Sequence, residues 1–87
     1  MRANDVFAWN LRRIRVDQGT SQENLAIDAA LDRTYVSRLE RGLENPTLNT
    51  VERLAGALNV ELITLLTPPP PDTPRPSGLT GGRKVRK

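Results

Sequence analysis

The chain has 87 residues, enough for one small domain, and carries a formal net charge of +3 without a single cysteine or histidine. The missing cysteine excludes a disulfide framework and a zinc–thiolate site, and the missing histidine removes the commonest metal ligand and general base, which argues against most enzymes. Since the N-terminus lacks the apolar run of a signal peptide and no segment approaches the roughly 20 apolar residues of a membrane span, we expect a cytoplasmic protein.

Apolar spacing predicts five helices joined by short loops in residues 1–66, which makes the fold an all-α, compact five-helix bundle. Helix 1 is predicted over residues 5–18, and Gly19 is placed to end it in the left-handed conformation. Trp9 falls on the side of helix 1 opposite its apolar stripe, close to Val16. We therefore expect Trp9 outside the core, either lying on neighbouring side chains or forming an interface with Val16.

Helices 2 and 3 are short and are joined by a tight turn. Helix 2 is predicted over residues 21–29, where Thr20 and Glu23 have the spacing of a capping box. Helix 3 is predicted over residues 32–41, with Asp32 as its N-cap. Two such helices cross at a steep angle and leave the outer face of the second one free, as in a helix-turn-helix.

Helices 4 and 5 are predicted over residues 47–59 and 61–66. The apolar stripe of helix 4 consists of Leu48, Val51, Leu54, Ala55 and Leu58. Helix 5 is more apolar than one end of a small bundle can cover, and exposed patches of that kind tend to mark interfaces. We therefore hypothesise a two-fold dimer that places two copies of helix 3 about one DNA turn apart. The predicted interface residues are Leu62, Ile63, Leu65 and Leu66.

From residue 67 the composition changes to a proline- and glycine-rich basic segment, which we interpret as a disordered tail over residues 67–87. The tail has five basic residues against one acid, a balance of +4, whereas residues 1–66 have eight arginines against nine acids, a balance of −1. Bulk charge of the folded part therefore gives no support to DNA binding. The tail is either an arm that contacts phosphates or a solvated segment without a partner.

The outer face of helix 3 carries the side chains that point to a function. With Val36 and Leu39 assigned to the core, all the remaining side chains of this face can donate hydrogen bonds and none is acidic. They are Arg33, Thr34, Tyr35, Ser37, Arg38 and Arg41. Arginine can bind guanine O6 and N7 through two parallel hydrogen bonds, and threonine can offer a hydroxyl and a methyl group to thymine. The first turn of such a helix is best placed to reach base edges.

Three segments in the expected order and spacing resemble the Cro/repressor-type helix-turn-helix, or Xre family. They are NLRRIRVDQGTSQENLA (10–26), LDRTYVSRLERG (31–42) and NPTLNTVERLAGALNV (45–60). The second is most similar to the recognition helix of controller proteins of restriction-modification systems, which are small dimeric regulators of their own operons. The resemblance implies a lambda-repressor-like DNA-binding domain over residues 1–66. It also implies a dimeric transcriptional regulator that reads an operator in the major groove of double-stranded DNA without a cofactor.

The resemblance also implies roles for individual residues. Base reading is assigned to Arg33, Thr34 and Arg38. Contacts with the DNA backbone are assigned to Gln22, Tyr35, Ser37, Arg41, Asn45 and Thr47, although Tyr35 could equally cover the edge of the core. An internal ion pair is assigned to Arg15 and Glu40.

Ala30 departs from the family, which usually has glycine there because the chain of the turn tends to a left-handed conformation. Alanine in that conformation should cost about 1 kcal/mol or more, so either the turn is slightly strained or its path differs.

A protein-interaction module is the alternative reading of this chain. An example is an antitoxin that uses the helix-turn-helix for autoregulation and holds a partner protein with its tail or helix 5. An enzyme is a remote third possibility, because the acidic residues are scattered over helical surfaces and the sequence shows no nucleophile and base arranged together. For Arg12, Arg13 and Arg53 we prefer ordinary solvation to a contact with DNA.

Overall fold

The computed structural model describes residues 2–70, and within that range it contains α-helices and no strand. The five helices are α1 (Ala3–Asp17), α2 (Gln22–Ala29), α3 (Arg33–Glu40), α4 (Leu48–Leu58) and α5 (Leu62–Leu66). The predicted all-α five-helix class is confirmed, and each boundary lies within two residues of its prediction. Residues 71–87, which hold most of the predicted tail, lie outside the described residues.

A single apolar core receives side chains from all five helices, so that forming each helix and burying its stripe stabilise one another. Its most deeply buried members are Leu11, Leu25, Val36, Leu39, Leu54, Leu58 and Leu65. The predicted stripe of α4 is wrong at one position, because Leu48 is 71% exposed. Leu48 is the first residue of α4, and the buried part of this helix begins one turn later, at Val51.

Four helices end in the same way, on a residue in the left-handed conformation. These residues are Gly19, Ala30, Gly42 and Asn59, with φ between 58° and 72°. In each case the next amide donates a hydrogen bond to the carbonyl five residues earlier, which closes the last turn. Gly19 ends α1 as predicted, and Ala30 keeps the left-handed geometry that the family reaches with glycine. The turn between α2 and α3 is therefore left-handed at Ala30 and carries the strain of a Cβ atom.

The start of α2 corrects a prediction. Ser21 is the N-cap, and its hydroxyl accepts a hydrogen bond from the amide of Asn24 at 3.0 Å. The proposed capping box of Thr20 and Glu23 is wrong because the helix begins one residue later, which puts Asn24 rather than Glu23 three residues after the cap.

Trp9 is buried, with 8% of its surface exposed, although it lies outside the main core cluster. The expectation that Trp9 lies outside the core is therefore wrong, and so little of the ring is exposed that it offers almost no surface for an interface with Val16. The Arg13 guanidinium lies 5.4 Å from the centre of the ring. The chain after α5 returns to the same place because the buried Asn10 amide donates to the carbonyls of Leu65 and Thr67, at 2.9 and 2.8 Å.

Replacing Ala30 by glycine should raise the free energy of unfolding by about 1 kcal/mol, because it removes the Cβ strain at a positive φ. Ala57→Gly is the matched control, because it makes the same chemical change inside α4 and should lower the free energy of unfolding by about 1 kcal/mol. Urea unfolding followed by circular dichroism measures both values. A loss of stability in Ala30→Gly would contradict the strain.

Candidate nucleic-acid interface

Helix α3 presents its polar face to solvent and its apolar face to the core. Asp32 fixes the first turn, since its carboxylate accepts hydrogen bonds from the amides of Thr34 at 2.9 Å and Tyr35 at 3.4 Å. Along the outer side, Arg33, Thr34, Arg38 and Arg41 are exposed, whereas Tyr35 and Ser37 are half-buried. Tyr35 packs against the core cluster, which supports the alternative that it covers the edge of the core, and Arg41 is the C-cap that follows α3. The other four predicted residues lie within this short, capped helix.

The arginines of this face differ in their surroundings. Arg33 and Arg41 form no ion pair with any residue in the range 2–70. The Nε atom of Arg38, in contrast, lies 2.7 Å from a carboxylate oxygen of Glu44, in the loop between α3 and α4. Sequence reasoning missed Glu44 because it considered the face of helix 3 alone, and the acid reaches that face from the following loop.

A buried ion pair fixes α3 against α1. Arg15 and Glu40 meet through two hydrogen bonds of 2.5 and 2.9 Å, and their side chains are 8% and 2% exposed. Arg15 also donates to the carbonyl of Thr20 at 2.8 Å. The side-chain amide of Gln22 donates to Glu40 at 3.1 Å, so this predicted DNA contact at the start of α2 is attached to the ion pair. The pair joins α1, the start of α2 and α3 in one network.

Asn45 and Thr47 lie before α4, where the resemblance places further backbone contacts. Both are exposed. The hydroxyl of Thr47 caps α4, since it accepts a hydrogen bond from the amide of Thr50 at 3.2 Å. The N-terminus of α4, the positive end of the helix dipole, therefore adjoins the loop that contains Glu44. The contacts of Asn45 and Thr47 with DNA stay predictions.

All four residues predicted at a dimer interface belong to α5, and three of them are exposed. Leu62, Ile63 and Leu66 are exposed by 40%, 69% and 42%. Leu65 is fully buried and belongs to the core, so its assignment to the interface is wrong. Leu65 lies on the side of α5 that packs against α1, where the side-chain amide of Asn10 donates a hydrogen bond to the carbonyl of Leu65.

Other kinds of site are not evident in the part of the chain that the structure describes. No group of three side chains that could ligate a metal occurs in residues 2–70. No helix there is long and apolar enough to cross a bilayer. A cavity of about 480 Å³ lies beside Trp9, Arg13 and the prolines 68–70, and none of the predicted DNA-contacting residues lines it.

Comparison with known proteins gives one family and several relatives. The family model described as helix-turn-helix matches residues 11–65. A hypothetical transcription factor of Neisseria meningitidis serogroup B is 50% identical over 64 residues, which cover 74% of this chain and 60% of that protein. The match thus spans less than two-thirds of the length of that relative.

Two solved structures share the fold. The restriction-modification controller protein C.AhdI from Aeromonas hydrophila has a TM-score of 0.70 at 42% identity, over 71% of this chain and 94% of that one. The controller protein C.Esp1396I has a TM-score of 0.70 at 31% identity, over 75% of this chain and 86% of that one. The second structure is a tetramer of C.Esp1396I in complex with its natural 35 base-pair operator.

Replacing Arg15 by alanine should lower the free energy of unfolding by about 3 to 5 kcal/mol, because it leaves the Glu40 carboxylate buried without its partner. Arg2→Ala is the control, because it removes an arginine from an exposed pair with Asp5 and should change stability by less than about 1 kcal/mol. Chemical denaturation of both variants measures the difference. Equal effects would contradict a structural role for the buried pair.

Proposed function

The chain belongs to the helix-turn-helix family, as its resemblance to Xre-type regulators predicts, and we propose that it is a sequence-specific DNA-binding transcriptional regulator. It acts on double-stranded DNA in the cytoplasm. The family is a class of transcription regulators rather than of enzymes, and we propose no catalytic activity. The observation that carries the proposal is the outer face of α3, where Arg33, Thr34 and Arg38 are exposed while the opposite face completes the core.

In this proposal α3 lies in the major groove and its first turn reaches the base edges. Arg33 binds a guanine through O6 and N7, and Thr34 contacts a neighbouring base through its hydroxyl or methyl group. Arg38 stands more than one turn further along the helix and reads another base pair. The cap at Asp32 and the pair of Arg15 with Glu40 support this arrangement, since they hold both ends of α3 before DNA binds.

The DNA backbone is held on both sides of α3. Gln22 uses one amide hydrogen for Glu40 and keeps the second for a phosphate, so the phosphate contact and the ion pair share one side chain. On the far side, the loop before α4 offers the positive end of that helix. The proposed backbone contacts are Gln22, Tyr35, Ser37, Arg41, Asn45 and Thr47.

We propose that two copies of the chain associate through α5 and bind a two-fold symmetric operator. Leu62, Ile63 and Leu66 form an exposed apolar patch on this helix, and burying such a patch favours association. The similar controller protein C.Esp1396I binds its operator as a tetramer, which supports a multimer on DNA. The most direct test is selection of bound DNA from a random pool. Enrichment of a palindrome supports both the function and the symmetry, and recovery of unrelated sequences would contradict them.

Replacing Arg33 by alanine should weaken binding to the selected operator by about 1 to 3 kcal/mol and relax the preference at one base pair. Arg13→Ala is the control, because it removes the same charge beside Trp9, away from the outer face of α3. Fluorescence anisotropy with the operator, its single-base variants and random DNA measures the effect. An equal loss on operator and random DNA would contradict base reading by Arg33.

Replacing Ile63 by aspartate should weaken self-association by about 2 kcal/mol or more, or roughly thirtyfold, because it places a charge in an apolar interface. Ile27→Asp is a closely matched control, since Ile27 is 68% exposed on α2 and Ile63 is 69% exposed on α5. Sedimentation at micromolar concentration, with and without operator DNA, measures both variants. A wild-type protein that is monomeric in both conditions would rule out the dimer.

A further inference from the structure

One carboxylate lies against the outer face of α3. Glu44 accepts a hydrogen bond from Nε of Arg38 at 2.7 Å, and the two side chains are 34% and 46% exposed. Arg33 and Arg41, on the same face, have no acidic partner in residues 2–70. Within that range Arg38 is therefore the one arginine of this face that a carboxylate holds in place.

The end of α3 determines where Glu44 lies. Gly42 adopts a φ of 72°, and the next amide, of Leu43, donates to the carbonyl of Arg38 at 3.0 Å. The carbonyl of Gly42 is held in turn by the side chain of Asn4, at 3.0 Å. A Cβ atom at position 42 would lie 2.9 Å from a carboxylate oxygen of α1, so the chain passes close against that helix. The loop thus leaves α3 in a fixed direction that brings Glu44 back alongside Arg38.

The geometry of the pair leaves one edge of the guanidinium available. A guanidinium can bind guanine side-on, through Nε and one Nη, or end-on, through both Nη atoms. Glu44 occupies Nε of Arg38, so the end-on edge remains. Because the carboxylate also restricts the rotamers of Arg38, less side-chain entropy is lost when the arginine binds a base.

We propose that Glu44 is a positioning residue that sets DNA specificity, because it holds Arg38 by Nε and leaves its two Nη groups to a guanine. This role rests on the proposed DNA-binding function. Arg38 then binds a base in one orientation. Without Glu44 the same side chain is free to turn to a neighbouring phosphate, which carries no sequence information.

The charge of Glu44 acts in the same direction. Its negative charge cancels the positive charge of Arg38 in the long-range electrostatic field and repels DNA phosphates. Glu44 therefore weakens binding to DNA of any sequence. At the operator, the guanine contact of the positioned arginine offsets that repulsion. Glu44 therefore lowers affinity for random DNA more than affinity for the operator.

The test compares Glu44→Gln with Glu52→Gln, which removes the same charge from an exposed position on α4. Binding is measured by anisotropy on the selected operator, on operators changed at the base pair read by Arg38, and on random duplex DNA. That base pair is identified as the one where Arg38→Ala loses discrimination. Each glutamine change is also made in the Arg38→Ala background, and circular dichroism verifies that all variants are folded.

For Glu44→Gln we expect binding to random DNA to tighten by about two- to fivefold relative to Glu52→Gln, the size of an exposed ion-pair effect. Discrimination at the base pair of Arg38 and the operator-to-random ratio should both fall by a similar factor, and the fall in the operator-to-random ratio should disappear in the Arg38→Ala background. Equal operator-to-random ratios in the two glutamine variants would overturn the proposal, and so would a fall that persists without Arg38. A wild-type protein that prefers no sequence would contradict the proposed function itself, and with it this role of Glu44.

Discussion

The position of α3, the helix that we propose reads DNA, depends on the buried contact between Arg15 and Glu40. The pair is bidentate, and Thr20 and Gln22 satisfy further groups, so the two charges are compensated after they leave water. Because Arg15 belongs to α1, Gln22 to the first turn of α2 and Glu40 to the last turn of α3, the network fixes three elements with one set of directional bonds. Apolar packing alone would tolerate small rotations of an eight-residue helix, and this network does not.

The loops bring polar side chains to helix faces where helical periodicity alone predicts none. A left-handed residue after each of the first four helices turns the chain sharply, so the next residues return beside the last turn of the helix they left. This is why Glu44 meets Arg38 although it belongs to a different segment. At Ala30 the same turn is made against the preference of the residue, which shows that packing around the helix-turn-helix is strong enough to hold a strained link.

Periodicity and caps were sufficient to predict the five helices, and the family resemblance identified the pair of Arg15 with Glu40. What they missed has a common physical cause. A helical wheel gives the face on which Trp9 or Leu65 lies but not which segment covers that face. Trp9 is buried because Asn10 holds the chain after α5 beside it, and Leu65 faces inward for the same reason. The contact of Glu44 with Arg38 was not predicted because it depends on the path of a loop.

The charge distribution of the domain favours selectivity over general affinity for DNA. Residues 1–66 carry a balance of −1, so long-range attraction to phosphates contributes little to their binding. A domain of this kind must obtain most of its discrimination from placed hydrogen bonds, which are effective when the donors are ordered before DNA arrives. The cap at Asp32, the buried pair below α3 and the carboxylate beside Arg38 each restrict a donor or its helix. In the proposed function, the local order at α3 therefore contributes to sequence-specific binding, whereas bulk positive charge would contribute only to binding without regard to sequence.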